Sequence, residues 1–108
     1  MIARLITCAL LSLGATQAHA SDTKTKTGDA EAGAALYDEV CASCHGPSGR
    51  GMASYPKLAG NSADYLSDRL ETYRAGERVG PNSMLMIPNA QDLSDEDIAD
   101  LSVYLAGL

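Results

Sequence analysis

The chain has 108 residues, with 8 Lys+Arg against 14 Asp+Glu and a net charge of −6. That length fits one small domain, and that charge argues against nucleic-acid binding through phosphate neutralisation. Neither Trp nor Phe is present, so a core of this size built without them is marginal unless something else fills it.

The N-terminus has the pattern of a secretory signal. Arg4 is followed by an apolar run over Leu5–Ala15 and by Ala18-His19-Ala20, an A-x-A-type cleavage site. The run is too short to span a bilayer, so residues 1–20 are expected to be removed. An uncleaved anchor is the alternative, and lipid attachment at Cys8 is disfavoured because the apolar run continues past it. Cleavage takes Arg4, Cys8 and His19 with it, shifts the net charge to −7, and leaves Cys41, Cys44 and His45 as the entire Cys/His complement. Residues 21–28, polar with alternating Thr and Lys, form a flexible leader. Residues 29–108 form the domain.

The first helix is expected from an Asp29 N-cap to about Val40 or the following motif itself, with Ala32, Ala35, Leu36 and Val40 at helical spacing. Gly33 permits close approach of another backbone, and Tyr37 lies one turn on. Next comes Cys41-Ala42-Ser43-Cys44-His45, a C-x-x-C-H run. Two thiols at this spacing can add to the two vinyl groups of one porphyrin, and the adjacent imidazole then sits over the iron. The other readings of this pair fail separately. A thioredoxin-like site expects a βαβ context, structural zinc needs four ligands, and a plain disulfide leaves His45 unexplained. The site is therefore expected to hold one haem c, bound through Cys41 and Cys44, with His45 as an axial ligand.

Residues 46–58, with three glycines and two prolines, read as a loop. A second helix fits Ser62 to Ala75, capped by Asn61 or Ser62, with Leu66, Leu70 and Tyr73 as its stripe and Gly76 as its stop. Residues 77–91 hold two prolines and little periodicity, and are expected to be a second long loop. Ser94-Asp95-Glu96-Asp97 opens the last helix with a capping-box pattern, and Ile98, Leu101, Leu105 and Leu108 continue one face beside Tyr104. No segment alternates as a strand does, so the domain is expected to be all-α with two long loops.

No second imidazole survives cleavage, so the other axial position falls to Met, Lys, Tyr or an open site. Met52 follows His45 too closely to cross to the other side of the ring. Met84 and Met86 both lie where the chain can return over it. Arg50, Lys57 and Arg78 are candidate partners for haem propionates, with solvent exposure as the alternative for each.

From about Gly28 to Leu108 the chain resembles class I cytochromes c, most closely the small bacterial cytochrome c4 and cytochrome c553 kind. The matching residues are Asp29-Ala30-Glu31-Ala32-Gly33, Cys41 to Gly46, Tyr55-Pro56-Lys57-Leu58-Ala59-Gly60 and Leu93-Ser94-Asp95-Glu96-Asp97-Ile98. The resemblance implies three main helices and long loops wrapped around one covalently attached haem. It implies that Met86 is the second axial ligand, that the Pro56 carbonyl accepts a hydrogen bond from His45, and that the first and last helices cross at Gly33, Tyr37 and Tyr104. Cytochrome c4 has two such domains; this chain has one haem motif, and a homodimer would restore the pairing.

A closed His/Met iron exchanges an electron with little rearrangement and leaves no position for a substrate. The expectation is a soluble periplasmic one-electron carrier, not an enzyme, that meets redox partner proteins and has no membrane span once the signal is removed. The chain's acidity favours partners with basic surfaces. The alternative is a dedicated cytochrome subunit of a periplasmic dehydrogenase or oxidase complex. An enzyme or gas sensor with an open haem would require that Met86 not bind iron.

Overall fold

The computed structural model describes residues 27–108, so the expected signal over 1–20 and most of the leader lie outside the described residues. Five α-helices follow: α1 (Ala30–Leu36), α2 (Ala42–His45), α3 (Ala63–Arg74), α4 (Ser83–Ala90) and α5 (Asp95–Ala106). No strand forms among the described residues; the one β-bridge joins Met52 to Tyr55.

Asp29 caps α1 as expected, its side chain accepting from the Glu31 and Ala32 amides. Between α1 and α2 the chain makes one π-helical turn, Tyr37–Cys41, in which the Ala42 amide donates to the Tyr37 carbonyl five residues back. Such a turn inserts one residue into a continuous helical path and is frequent at functional sites. It brings the whole attachment motif to the end of the first helical run, a continuation that spacing alone left open.

The crossing of α1 and α5 is the tightest part of the fold. A Cβ at Gly33 would collide with the Asp100 carbonyl and press on the Tyr104 Cβ, so only glycine fits. Tyr37 is fully buried, and its ring meets Tyr104 at a centroid distance of 5.6 Å and a tilt of 53°. Asp100, itself buried, accepts from the Asp29 amide at 2.6 Å and ties the start of α1 to the middle of α5.

On α5, the Ser94 hydroxyl accepts from the Asp97 amide and the Asp97 carboxylate accepts from the Ser94 amide, completing the capping box. Ile98, Leu101 and Leu105 are buried, and Leu101 and Leu105 form one cluster with Tyr37 and Leu66 of α3. Leu108 departs from expectation: the helix stops at Ala106 with Gly107 as its cap, and Leu108 is half exposed.

The second long loop expected over 77–91 is corrected by α4. Sequence periodicity misses this helix because it is only two turns long and contains Pro88, which has no amide to return to the Met84 carbonyl. Local side-chain bonds support it instead. Buried Ser83 accepts from the Val79 and Gly80 amides at 2.8 and 2.9 Å, closing the entry turn, and the Asn89 amide group donates to the Leu85 carbonyl at 2.8 Å. The helix packs on α3. Met84 and Met86 therefore lie on a helix and not in a loop.

Candidate haem site

A cavity of about 620 Å³ opens between α2, the loop after it, α3, α4 and one face of α5. All five residues singled out in the sequence line it: Cys41, Cys44, His45, Pro56 and Met86. Leu66 and Leu70 of α3 and Leu101 and Leu105 of α5 supply apolar wall. Met52 and Met84 do not line it; they are 48% and 55% exposed. Of the methionines among the described residues, Met86 alone shares a space with His45 and both thiols.

His45 ends α2 and is buried. Its Nδ1 lies 2.9 Å from the Pro56 carbonyl oxygen. A carbonyl only accepts, so Nδ1 carries the proton and Nε2 keeps its lone pair, the form in which imidazole binds a metal. This is the bond that sets ring orientation and basicity for a ligating histidine. The backbone beside it is held from two sides: the His45 carbonyl accepts from the Gly51 amide at 2.8 Å, and the Tyr37 hydroxyl donates to the Gly46 carbonyl at 2.6 Å. Tyr55 sets its ring edge-on to the imidazole at 6.0 Å.

Cys41 and Cys44 are unbridged and partly buried. Burial, helped by the neighbouring Cys44, pushes the Cys41 thiol up to about 11. A reactive redox thiol needs the opposite shift, so Cys41 is unlike the attacking thiol of a dithiol oxidoreductase. No group of three His, Cys, Asp or Glu able to hold a bare metal ion occurs among the described residues.

The donor set and the cavity suit a haem. A space in the range of ligand sites, mostly apolar and walled by leucine and tyrosine, holds two thiols three positions apart in the chain, an imidazole whose Nδ1 is tied to a carbonyl, and a thioether. Sequence reasoning missed Tyr55 and Tyr65, which also line the cavity. The signal was present: in a chain lacking Trp and Phe, tyrosine is the only residue left to supply an aromatic wall to a flat ring.

A helical cradle around a thiol-attached haem defines a class I c-type cytochrome. The family model for cytochrome c matches residues 30–108, and the chain belongs to the cytochrome c family. Its cofactor is haem c, covalently attached through cysteines, and the family carries electrons. Cytochrome c-554(548) of Halomonas halodenitrificans is 51% identical over 80 residues, spanning 71% of this chain and 93% of that protein. The reduced recombinant cytochrome c4 of Pseudomonas stutzeri superposes with a TM-score of 0.66 at 36% identity, over 73% of this chain and 47% of that one. The thiosulfate dehydrogenase electron acceptor of Stutzerimonas stutzeri is 41% identical over 69 residues, covering 63% of this chain and 32% of that protein. The chain thus spans nearly all of the first relative but about half or less of the other two. No helix among the described residues is long and apolar enough to cross a membrane.

Proposed function

We propose that this chain is a periplasmic monohaem cytochrome that passes single electrons between redox proteins, with His45 and Met86 as the two axial ligands. The observation that carries the reading is the separation of the methionines: Met86 shares the cavity with His45, Cys41 and Cys44, while Met84 and Met52 face outward. Bound haem supplies one iron that gains or loses a single electron. Cys41 and Cys44 hold the ring, Pro56 fixes the imidazole, and the leucine and tyrosine walls exclude water. The Met86 sulfur, a soft donor, favours the reduced state and raises the potential. Were His45 and Met86 both to bind the iron, no position on it would remain for a substrate, which suits a carrier and not an enzyme. Delivery to the periplasm rests on the signal pattern over residues 1–20.

Replacing Met86 tests the ligand set. Met86→Ala is expected to abolish the sulfur-to-iron charge-transfer band and admit carbon monoxide. It should lower the potential by a sizeable share of the ~0.8 V range over which axial ligands set haem potentials. Met84→Ala is expected to change none of these. Sensitivity at Met84 with indifference at Met86 refutes the assignment.

A second reading, a cytochrome subunit of a dehydrogenase complex, is favoured by the likeness to the fructose dehydrogenase cytochrome subunit of Gluconobacter japonicus, 36% identical over 97 residues, 79% of this chain and 19% of that protein. Purification from the native host separates the two, since a subunit co-elutes with a catalytic chain and a carrier elutes alone.

A further inference from the structure

Charge is distributed unevenly along this acidic chain. Between Glu39 and Asp64 there is no acidic residue, and the same stretch carries Arg50 and Lys57. It includes the attachment motif and the whole loop that follows.

The loop folds so that the two cations come together. The Gly49 carbonyl accepts from both the Leu58 and Ala59 amides, at 2.8 and 2.9 Å, and Met52 and Tyr55 pair through their backbones. Gly51, at φ 81°, lies so close to the returning chain that a Cβ there would meet the Tyr55 carbonyl oxygen and the Lys57 amide. Arg50 and Lys57, seven positions apart, thereby line one surface pocket of about 530 Å³ with Ser48, Ala59 and Leu108. Among the described residues, neither cation has an ion pair or a hydrogen bond at its charged end. Arg74, by contrast, is bound to Asp95 at 2.8 Å and to the Leu93 carbonyl.

Lys57 lines the haem cavity as well as this outer pocket. A group seated in the outer pocket is thus one side chain away from the haem cavity. We infer that the Arg50–Lys57 pocket is a docking point for carboxylates on the acidic surface of a redox partner, beside the path of electron exchange. The inference rests on the proposed carrier role. It also separates local from net charge: the acidic bulk suits a basic partner elsewhere on the surface, while this loop presents the opposite sign. A guanidinium and an ammonium together offer both bidentate and point-charge recognition of carboxylates.

The test uses the reduced holoprotein and ferricyanide, a trianion, as the probe. One electron passes from ferrous haem to ferricyanide, leaving ferric protein and ferrocyanide. In stopped flow the wild-type rate constant is expected to fall as ionic strength rises, against the sign that the net charge dictates. Arg50→Gln with Lys57→Gln removes two positive charges. Ala32→Glu with Ala35→Glu makes the same net change at two exposed residues of α1 that line neither pocket. At low ionic strength the Arg50/Lys57 variant should react about tenfold more slowly than wild type and converge with it at high salt. The α1 variant should stay close to wild type.

A wild-type rate that rises with salt, or equal slowing in both variants, overturns the inference. So does a shifted midpoint potential in the Arg50/Lys57 variant with a salt slope matching the α1 variant, because that pattern places the two cations on the haem propionates. The ligand assignment fails separately, on a wild-type spectrum without the sulfur-to-iron band.

Discussion

One helix, α5, faces two different worlds. Toward α1 it meets protein: Asp100 and Tyr104 press on Gly33 and Tyr37 with no room for a methyl group. Toward α3 and α4 its Leu101 and Leu105 line a cavity. The first contact is closed against backbone. The second is shared: Leu101 and Leu105 are already buried against Tyr37 and Leu66, and they also form part of the wall that a haem would meet. The two sides differ accordingly in what holds them: backbone-to-backbone fit at the crossing, and side-chain packing that a flat apolar ring would extend in the cradle.

Removing the ring should have the largest effect. The partly buried side chains that line the cavity, among them Leu58, Leu70, Tyr73 and Met86, would then face water, at roughly 1.5–3 kcal/mol for each large apolar side chain in a domain whose whole stability is ~5–15 kcal/mol. Cys41→Ala with Cys44→Ala, purified without haem, is expected to lose cooperative thermal unfolding and most of its helical circular dichroism. A cooperative melt in this variant would show that the α1–α5 crossing suffices alone.

Gly33→Val attacks the crossing and leaves the cradle intact. The collision with the Asp100 carbonyl forces the helices apart, at about 3 kcal/mol or more, read as a lower denaturation midpoint with haem still attached. A cost under about 1 kcal/mol would mean that the crossing is looser than its geometry.

Tyr37 belongs to both sides, because its ring packs at the crossing and its hydroxyl holds the peptide after His45. Tyr37→Phe leaves the Gly46 carbonyl without this donor and should cost about 1–3 kcal/mol. Burial raises the Tyr37 pKa above its usual 10.0. The folded state therefore keeps the phenol neutral where the unfolded chain ionises it. Its contribution is complete below pH 10 and is lost as pH rises through the higher folded value. Denaturant melts of wild type should weaken across that window, and the Phe variant should weaken less.

Ser94→Ala should be mildest, at about 1 kcal/mol, since it removes one cap from α5 and touches neither face. A loss of potential or of the charge-transfer band in this variant would mean that the start of α5 is coupled to the cradle.

Much of this architecture was legible in the sequence where the signal is local. Asp29, Ser62 and Ser94 cap the helices expected of them, because a capping bond spans three residues or fewer. The attachment motif is equally local. The helix over Ser83–Ala90 was not legible, because a bond from Ser83 to the preceding turn and packing on α3 offset an interior proline. Nor was the π turn after Leu36, whose extra residue leaves no mark in hydrophobic spacing.

What the sequence by itself determined was the chemistry: two thiols and an imidazole in one short run fix the cofactor class, because covalent attachment depends on local spacing. What the tertiary structure alone decided was arrangement. Met84 and Met86 are two positions apart and chemically identical, and only the direction of α4 turns one into the cavity and the other outward. Arg50 and Lys57 share a pocket only because the loop doubles back at Gly51. Residue type is a property of the chain, but which residues face the same space depends on how distant segments close around it.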